Sequence, residues 1–175
     1  ASRQVNSAVG GAVSRFASEP RSAGVSDPVP ANLDAAVPHR SPYSSGDFKN
    51  YDVIIATDGS ATTLPDGTVK AGWGVSVALA SSAFLFDLCG PTRDLTNNAA
   101  ELAAIWVGLK WCLVHAPSSR VLIRFDSTYA ANMARRIWLP RCNLALLVPI
   151  WNLLAHLWGV CRLAAYLFSH CQPPQ

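Results

Sequence analysis

The sequence predicts an α/β fold built on a mixed five-stranded sheet with helices on both faces. Three observations carry that expectation. Three β-type runs follow one another between residues 51 and 88, separated by turn-forming residues. The most regular helical period in the chain comes next, and a further strand and helix follow it. A run of strands that gives way to alternating helix and strand implies a mixed sheet with helices packed on it.

Residues 51–57 are β-branched and apolar, as a buried strand requires, and they end at Asp58-Gly59-Ser60. The loop after them carries the turn signal Pro65-Asp66-Gly67. Residues 72–79 and 83–88 read as the second and third strands, joined through Ser81-Ser82. Leu102, Ile105, Trp106, Leu109 and Leu113 then recur at spacings of three and four, one apolar stripe on a helix. Asn98 is the expected N-cap, with Glu101 three residues on as its capping-box partner. The helix stops near Ala116-Pro117, and residues 121–125 make a fourth strand ending at Asp126. Ser127 is placed to cap a short helix carrying Tyr129, Met133 and Ile137, and residues 162–168 form the fifth strand.

Residues 142–161 contain no Asp, Glu, Lys or Arg and lie between Arg141 and Arg162. A helix of that length would span the roughly 30 Å of a bilayer. Pro149, two asparagines and His156 argue against a span. Leu146, Ile150, Leu153, Leu154 and Leu157 fall on one helical face, so a core helix is expected and a membrane is not.

Length and composition set the frame. The 175 residues suffice for one domain with some extra, and 50% hydrophobic against 14% charged residues implies a sizeable core. A net charge of +3 permits a nucleic-acid partner without demanding one. The five cysteines form no C-x-x-C pair, which speaks against a disulfide framework or a zinc site and for a reducing, intracellular compartment. Residues 1–47 are rich in Ala, Ser, Gly and Val, with prolines at 20, 28, 30, 38 and 42 and no sustained period. They read as a disordered linker or tail, leaving residues 48–175 as the domain. The chain begins with Ala rather than Met, so it is expected to be part of a larger polypeptide.

Asp58 and Asp126 sit at predicted strand ends and Glu101 in a predicted first helical turn. Taken singly, each has an ordinary role: a turn residue, a strand-to-helix connector and a cap. Together at one rim of a sheet they would repel one another unless cations neutralised them. Hard oxygen ligands select Mg²⁺ or Mn²⁺, and two such ions suit phosphodiester cleavage.

Four motifs stand in order: Thr57-Asp58-Gly59-Ser60, Gly72-x-Gly74, Thr96-Asn97-Asn98-x-x-Glu101-Leu102-x-Ala104, and Asp126-Ser127-x-Tyr129. Together they resemble the type 1 ribonuclease H family, well over residues 51–136 and weakly beyond. The resemblance implies a ribonuclease H-like fold and an endonuclease that hydrolyses the RNA strand of RNA–DNA hybrids. It implies that Asp58, Glu101 and Asp126 hold two Mg²⁺ ions. Asn97 and Asn98, with Gly59 and Ser60, would face the hybrid where 2′-hydroxyls distinguish RNA from DNA. Arg135, Arg136 and Trp138 would grip the DNA strand through phosphate contacts and stacking.

The carboxy-terminal part departs from the family pattern. His170 matches the family's late histidine, which assists proton transfer or product release, but Ser169 stands where glycine is usual. The family's fourth metal-binding aspartate and last helix have no counterpart in the five residues after His170. Reduced or absent activity of this segment alone is therefore expected. The resemblance also extends to the ribonuclease H domain behind a retroelement reverse transcriptase. The rival expectations are a non-catalytic domain that binds nucleic acid or scaffolds a larger polypeptide, and a DNA-acting nuclease on the same fold.

Overall fold

The computed structural model describes residues 31–160 and 167–170. Residues 1–30 of the tail expected over 1–47, and residues 162–166 of the strand expected over 162–168, lie outside the described residues.

Nine elements follow in chain order: β1 (Val37–Arg40), β2 (Val53–Thr63), β3 (Val69–Leu79), β4 (Phe84–Pro91), α1 (Asn97–His115), β5 (Val121–Phe125), α2 (Thr128–Ala134), α3 (Leu144–Val160) and β6 (Leu167–His170). The sheet order is β1-β4-β3-β2-β5-β6. β2, β3 and β4 form the expected antiparallel meander. β5 joins β2 in parallel and β6 joins β5 in parallel, which makes the sheet mixed. The β2–β3 hairpin turns over residues 64–68, where Gly67 takes a φ of +83° and the Asp66 carboxylate accepts from the Thr68 amide at 2.9 Å.

Two expectations on β2 and α1 change. β2 does not end at Asp58 but runs on to Thr63, because its pairing with β3 continues from Val53↔Leu79 to Thr63↔Val69. The cap of α1 is Thr96 rather than Asn98: the Thr96 hydroxyl accepts from the Ala99 amide at 3.1 Å. Glu101 therefore stands in the second turn, not in a capping box, and its carboxylate is free for other partners.

The five-stranded sheet also gains a sixth strand that the composition of residues 1–47 concealed. β1 pairs with β4 from Val37↔Asp87 to Arg40↔Phe84. An edge strand tolerates Pro38, because one of its sides carries no ladder bonds.

One main core lies between the sheet and the helices. Ile55, Val75, Val77 and Ile123 point into it from the strands, and Leu102, Ile105, Leu147 and Ile150 from the helices. All three described helices contribute to this single core, so they share one face rather than both. The opposite face holds a smaller cluster of Ile54, Ala78 and Leu85, covered by Tyr43 and Phe48 of the segment between β1 and β2. α3 is the expected core helix: Leu146, Ile150 and Leu157 are buried. No helix among the described residues is long and apolar enough to cross a membrane.

Candidate metal centre

The strand register alone brings two carboxylates together. β2 and β5 pair in parallel up to Thr57↔Phe125, and the next residues on the two strands are Asp58 and Asp126. Neighbouring strands lie about 4.8 Å apart, so these side chains stand as neighbours where β5 ends and β2 continues. Ser127 turns the chain away there by capping α2, its hydroxyl accepting from the Ala130 amide at 3.2 Å, as the sequence predicts.

The third carboxylate arrives from α1. A Cβ built on Gly59 would fall 2.2 Å from both the Ala100 carbonyl carbon and the Glu101 nitrogen. Helix backbone thus rests directly on strand backbone, an approach that only glycine allows. Asn97 fixes the same joint from the other side, its side-chain oxygen accepting from the Ala61 amide. These two contacts deliver Glu101 to Asp58 and Asp126: one ligand oxygen from each residue lies within 4.8 Å of the others.

The electrostatics of the trio favour a cation. Asp58 and Asp126 are exposed, whereas Glu101 is only 9% exposed and is the one buried charged side chain among the described residues. Burial, reinforced by the negative charges of Asp126 and Asp58, pushes the Glu101 carboxyl up to about 8 from an ordinary 4.5. A hydrogen bond with the Gly59 backbone opposes that rise, and one with the Asp126 side chain adds to it. With no cation present, Glu101 holds a proton at neutral pH. A divalent ion would replace that proton and relieve the repulsion.

The other expected site residues divide. Ser60, Asn97 and Asn98 are exposed beside the trio, on the continuation of β2 and the first turn of α1. Arg135, Arg136 and Trp138 lie past the far end of α2, about 10 Å along the helix from its cap beside Asp126. The Arg136 guanidinium stacks 4.7 Å from the centroid of the Trp151 ring, and Trp138 is 45% exposed with its ring 6.5 Å from that of Tyr129. The β6 register sets the His170 backbone beside Phe125. The role expected of the His170 side chain lies outside the described residues.

Sequence reasoning missed Trp151 as the platform for Arg136. It also missed Cys89, which faces the site across β3; only the strand register reveals it.

Residues 50–156 match the model of the RNase H family. No curated protein matches the chain. Several solved structures share its fold. The RNase H domain of prototype foamy virus gives a TM-score of 0.57 at 23% identity, covering 73% of this chain and 82% of that one. LC11-RNase H1, isolated from compost by a metagenomic approach and solved with an RNA/DNA hybrid, gives 0.52 at 24% identity, covering 68% and 84%. The prototype foamy virus protease–reverse transcriptase gives 0.52 at 23% identity, covering 70% of this chain and 17% of that one.

Proposed function

Because the chain belongs to the RNase H family, we propose that it hydrolyses the RNA strand of RNA–DNA hybrids at a divalent-cation site formed by Asp58, Glu101 and Asp126. The observation that carries this reading is the meeting of three carboxylates, distant in sequence, within 4.8 Å of one another. The donor set fits a hard cation: every ligand atom is a carboxylate oxygen, and a cation among them offsets the burial and the repulsion that raise the Glu101 pKa. Two Mg²⁺ or Mn²⁺ ions held there would supply Lewis-acid stabilisation of the scissile phosphate and acidify an attacking water.

The remaining roles fall to this chain's own side chains. Asn97 and Asn98 stand beside the trio, within reach of groups in a hybrid's minor groove, and 2′-hydroxyls there separate RNA from DNA. Ser60 adds a hydroxyl at the same rim. Arg135 and Arg136 hold phosphates of the other strand, with Trp138 exposed for stacking on it. His170 takes or gives a proton, or helps product leave; its backbone lies at the same end of the sheet as Asp126. The foamy virus relative carries its RNase H domain inside a protease–reverse transcriptase, which supports a similar larger polypeptide here.

The test is cleavage of a labelled RNA–DNA hybrid beside matched RNA and DNA duplexes, with Mg²⁺ or Mn²⁺ added. Any cleavage, weak as the sequence leads one to expect, should fall on the RNA strand of the hybrid alone, and Asp126→Asn should abolish it without unfolding the domain. Equal cleavage by Asp126→Asn refutes the metal assignment. Cutting of the DNA duplex moves the reading to a DNA nuclease. Saturable, Asp126-dependent cation binding without any cleavage moves it to a non-catalytic hybrid-binding domain.

A further inference from the structure

The sheet face opposite α1 carries an open trough beside the carboxylates. It consists of two clefts of about 680 Å³ and 510 Å³. The first extends toward Thr62 and Lys70, the second toward Ser76 and Asp126. They share three residues, Asp58, Gly74 and Cys89. These three form one cross-strand row, since Asp58 pairs with Gly74 and Gly74 with Cys89. Residues in register point to the same face, so Asp58 and Cys89 face each other across roughly 10 Å with no side chain between them.

The three glycines lining this trough on β3 and β4 are not equivalent. A Cβ on Gly90 would strike the Trp73 ring at 2.6 Å, and one on Gly72 would crowd the Gly90 carbonyl oxygen at 3.1 Å. Packing accounts for both. A Cβ on Gly74 would meet nothing closer than the Asp58 carbonyl oxygen at 4.0 Å. Nor does Gly74 have the positive φ that would demand glycine; Gly67 is the described glycine that does. A glycine inside a strand weakens it, and any β-branched residue would serve the sheet better. Neither packing nor backbone conformation explains the missing side chain, whereas an occupant of the trough would.

We propose that Gly74 is a clearance residue for the substrate: the cleaved strand crosses the sheet between Asp58 and Cys89 and runs along β3 to a phosphate contact at Lys70. This inference rests on the hybrid-nuclease reading. Lys70 lies four residues from Gly74 on the same face of β3, about 14 Å away, a span of only a few nucleotides along the strand. It pairs across the hairpin with Thr62, which lines the same cleft. A strand lying over Gly74 would bring its backbone against Asp58 at one wall and cover the Cys89 thiol at the other.

The experiment compares the full chain with Gly74→Ala, Gly74→Val and Lys70→Gln for hybrid affinity, cleavage and melting temperature. Reaction of Cys89 with a maleimide is followed by peptide mass mapping, with and without hybrid. Gly74→Ala and Gly74→Val should melt at or above the parent temperature, while Gly74→Val loses about tenfold in hybrid affinity, near 1.4 kcal/mol. Lys70→Gln should lower the slope of log affinity against log salt by about one. Hybrid should slow Cys89 labelling. Gly74→Val with parental affinity and parental cleavage overturns the proposal. So does a Gly74→Ala chain that fails to fold, since the glycine would then be structural. Unprotected Cys89 in a chain saturated with hybrid overturns it as well. If the parent neither binds nor cuts hybrid, the underlying nuclease reading fails and this inference falls with it.

Discussion

Gly59 and Glu101 meet backbone to backbone, so closely that a Cβ on Gly59 would lie 2.2 Å from the Glu101 nitrogen. The position of the third carboxylate therefore depends on the absence of a methyl group one residue after the first. Gly59→Ala must push α1 off β2 or bend β2. Overpacking of this kind costs about 1–3 kcal/mol. Urea denaturation should show that loss, and the Mg²⁺ affinity of the folded fraction should fall with it. A Gly59→Ala chain as stable as the parent, with the same Mg²⁺ affinity, would show that the contact does not set the site.

Glu101 makes the stability of the cation-free protein depend on pH. Its folded pKa, about 8, lies above the ordinary 4.5, so between those values the folded state binds more protons than the unfolded one. The stabilisation is complete below about 4.5 and is lost as pH rises through 8, with a slope of at most about 1.4 kcal/mol per pH unit. The melting temperature of the parent in chelator should fall over that window relative to Glu101→Gln, whose neutral amide cannot ionise. Mg²⁺ should restore the parent at pH 8 and do little for the variant. Parallel pH profiles for the two chains would mean that Glu101 titrates normally.

Asn97 has a structural task beside the one proposed for its amide. Its side-chain oxygen accepts from the Ala61 amide and ties the start of α1 to the second half of β2. Asn97→Ala should cost about 1 kcal/mol. Asn97→Asp keeps the acceptor at a helix N-terminus, where negative charge is favoured, and should recover most of that loss. Chemical denaturation of the three chains decides this. A stable Asn97→Ala would leave the side chain only its proposed role with substrate.

What the sequence reveals and what it hides have physical causes. The carboxylates are legible because their motifs stand in the family's order and the first strand of the meander is strongly β-branched. The extent of β2 was not legible, because Asp58-Gly59-Ser60 has the composition of a turn. In the fold, Gly59 serves the helix above it while β3 keeps the strand extended. Thr96 and Asn98 are both good caps by residue type, and the hydrogen bond to Ala99 alone decides between them. Gly72 and Gly74 look alike in sequence. Only the neighbours of an added Cβ show that Gly72 is crowded and Gly74 is open.

The segment before β2 has the composition of a tail yet wraps the edge of the sheet. Ala31, Leu33 and Ala36 pack against the helix-side core, β1 pairs with β4, and Tyr43 and Phe48 reach the opposite face. There the Tyr43 ring stands 5.9 Å from the Arg124 guanidinium, two residues before Asp126. A chain beginning at Lys49 would lose all of these contacts and uncover Ile54 and Leu85, along with the edge of β4. Each large side chain taken from its partners costs about 1.5–3 kcal/mol, and an unpaired strand edge invites association. The shortened chain should melt lower and aggregate sooner than the full chain, as light scattering would report. The double variant Tyr43→Ala/Phe48→Ala should reproduce much of the melting shift while β1 still covers the edge, so its aggregation should stay close to that of the full chain. Equal melting temperatures for the full and shortened chains would make the segment dispensable and put the start of the folding unit back near Phe48.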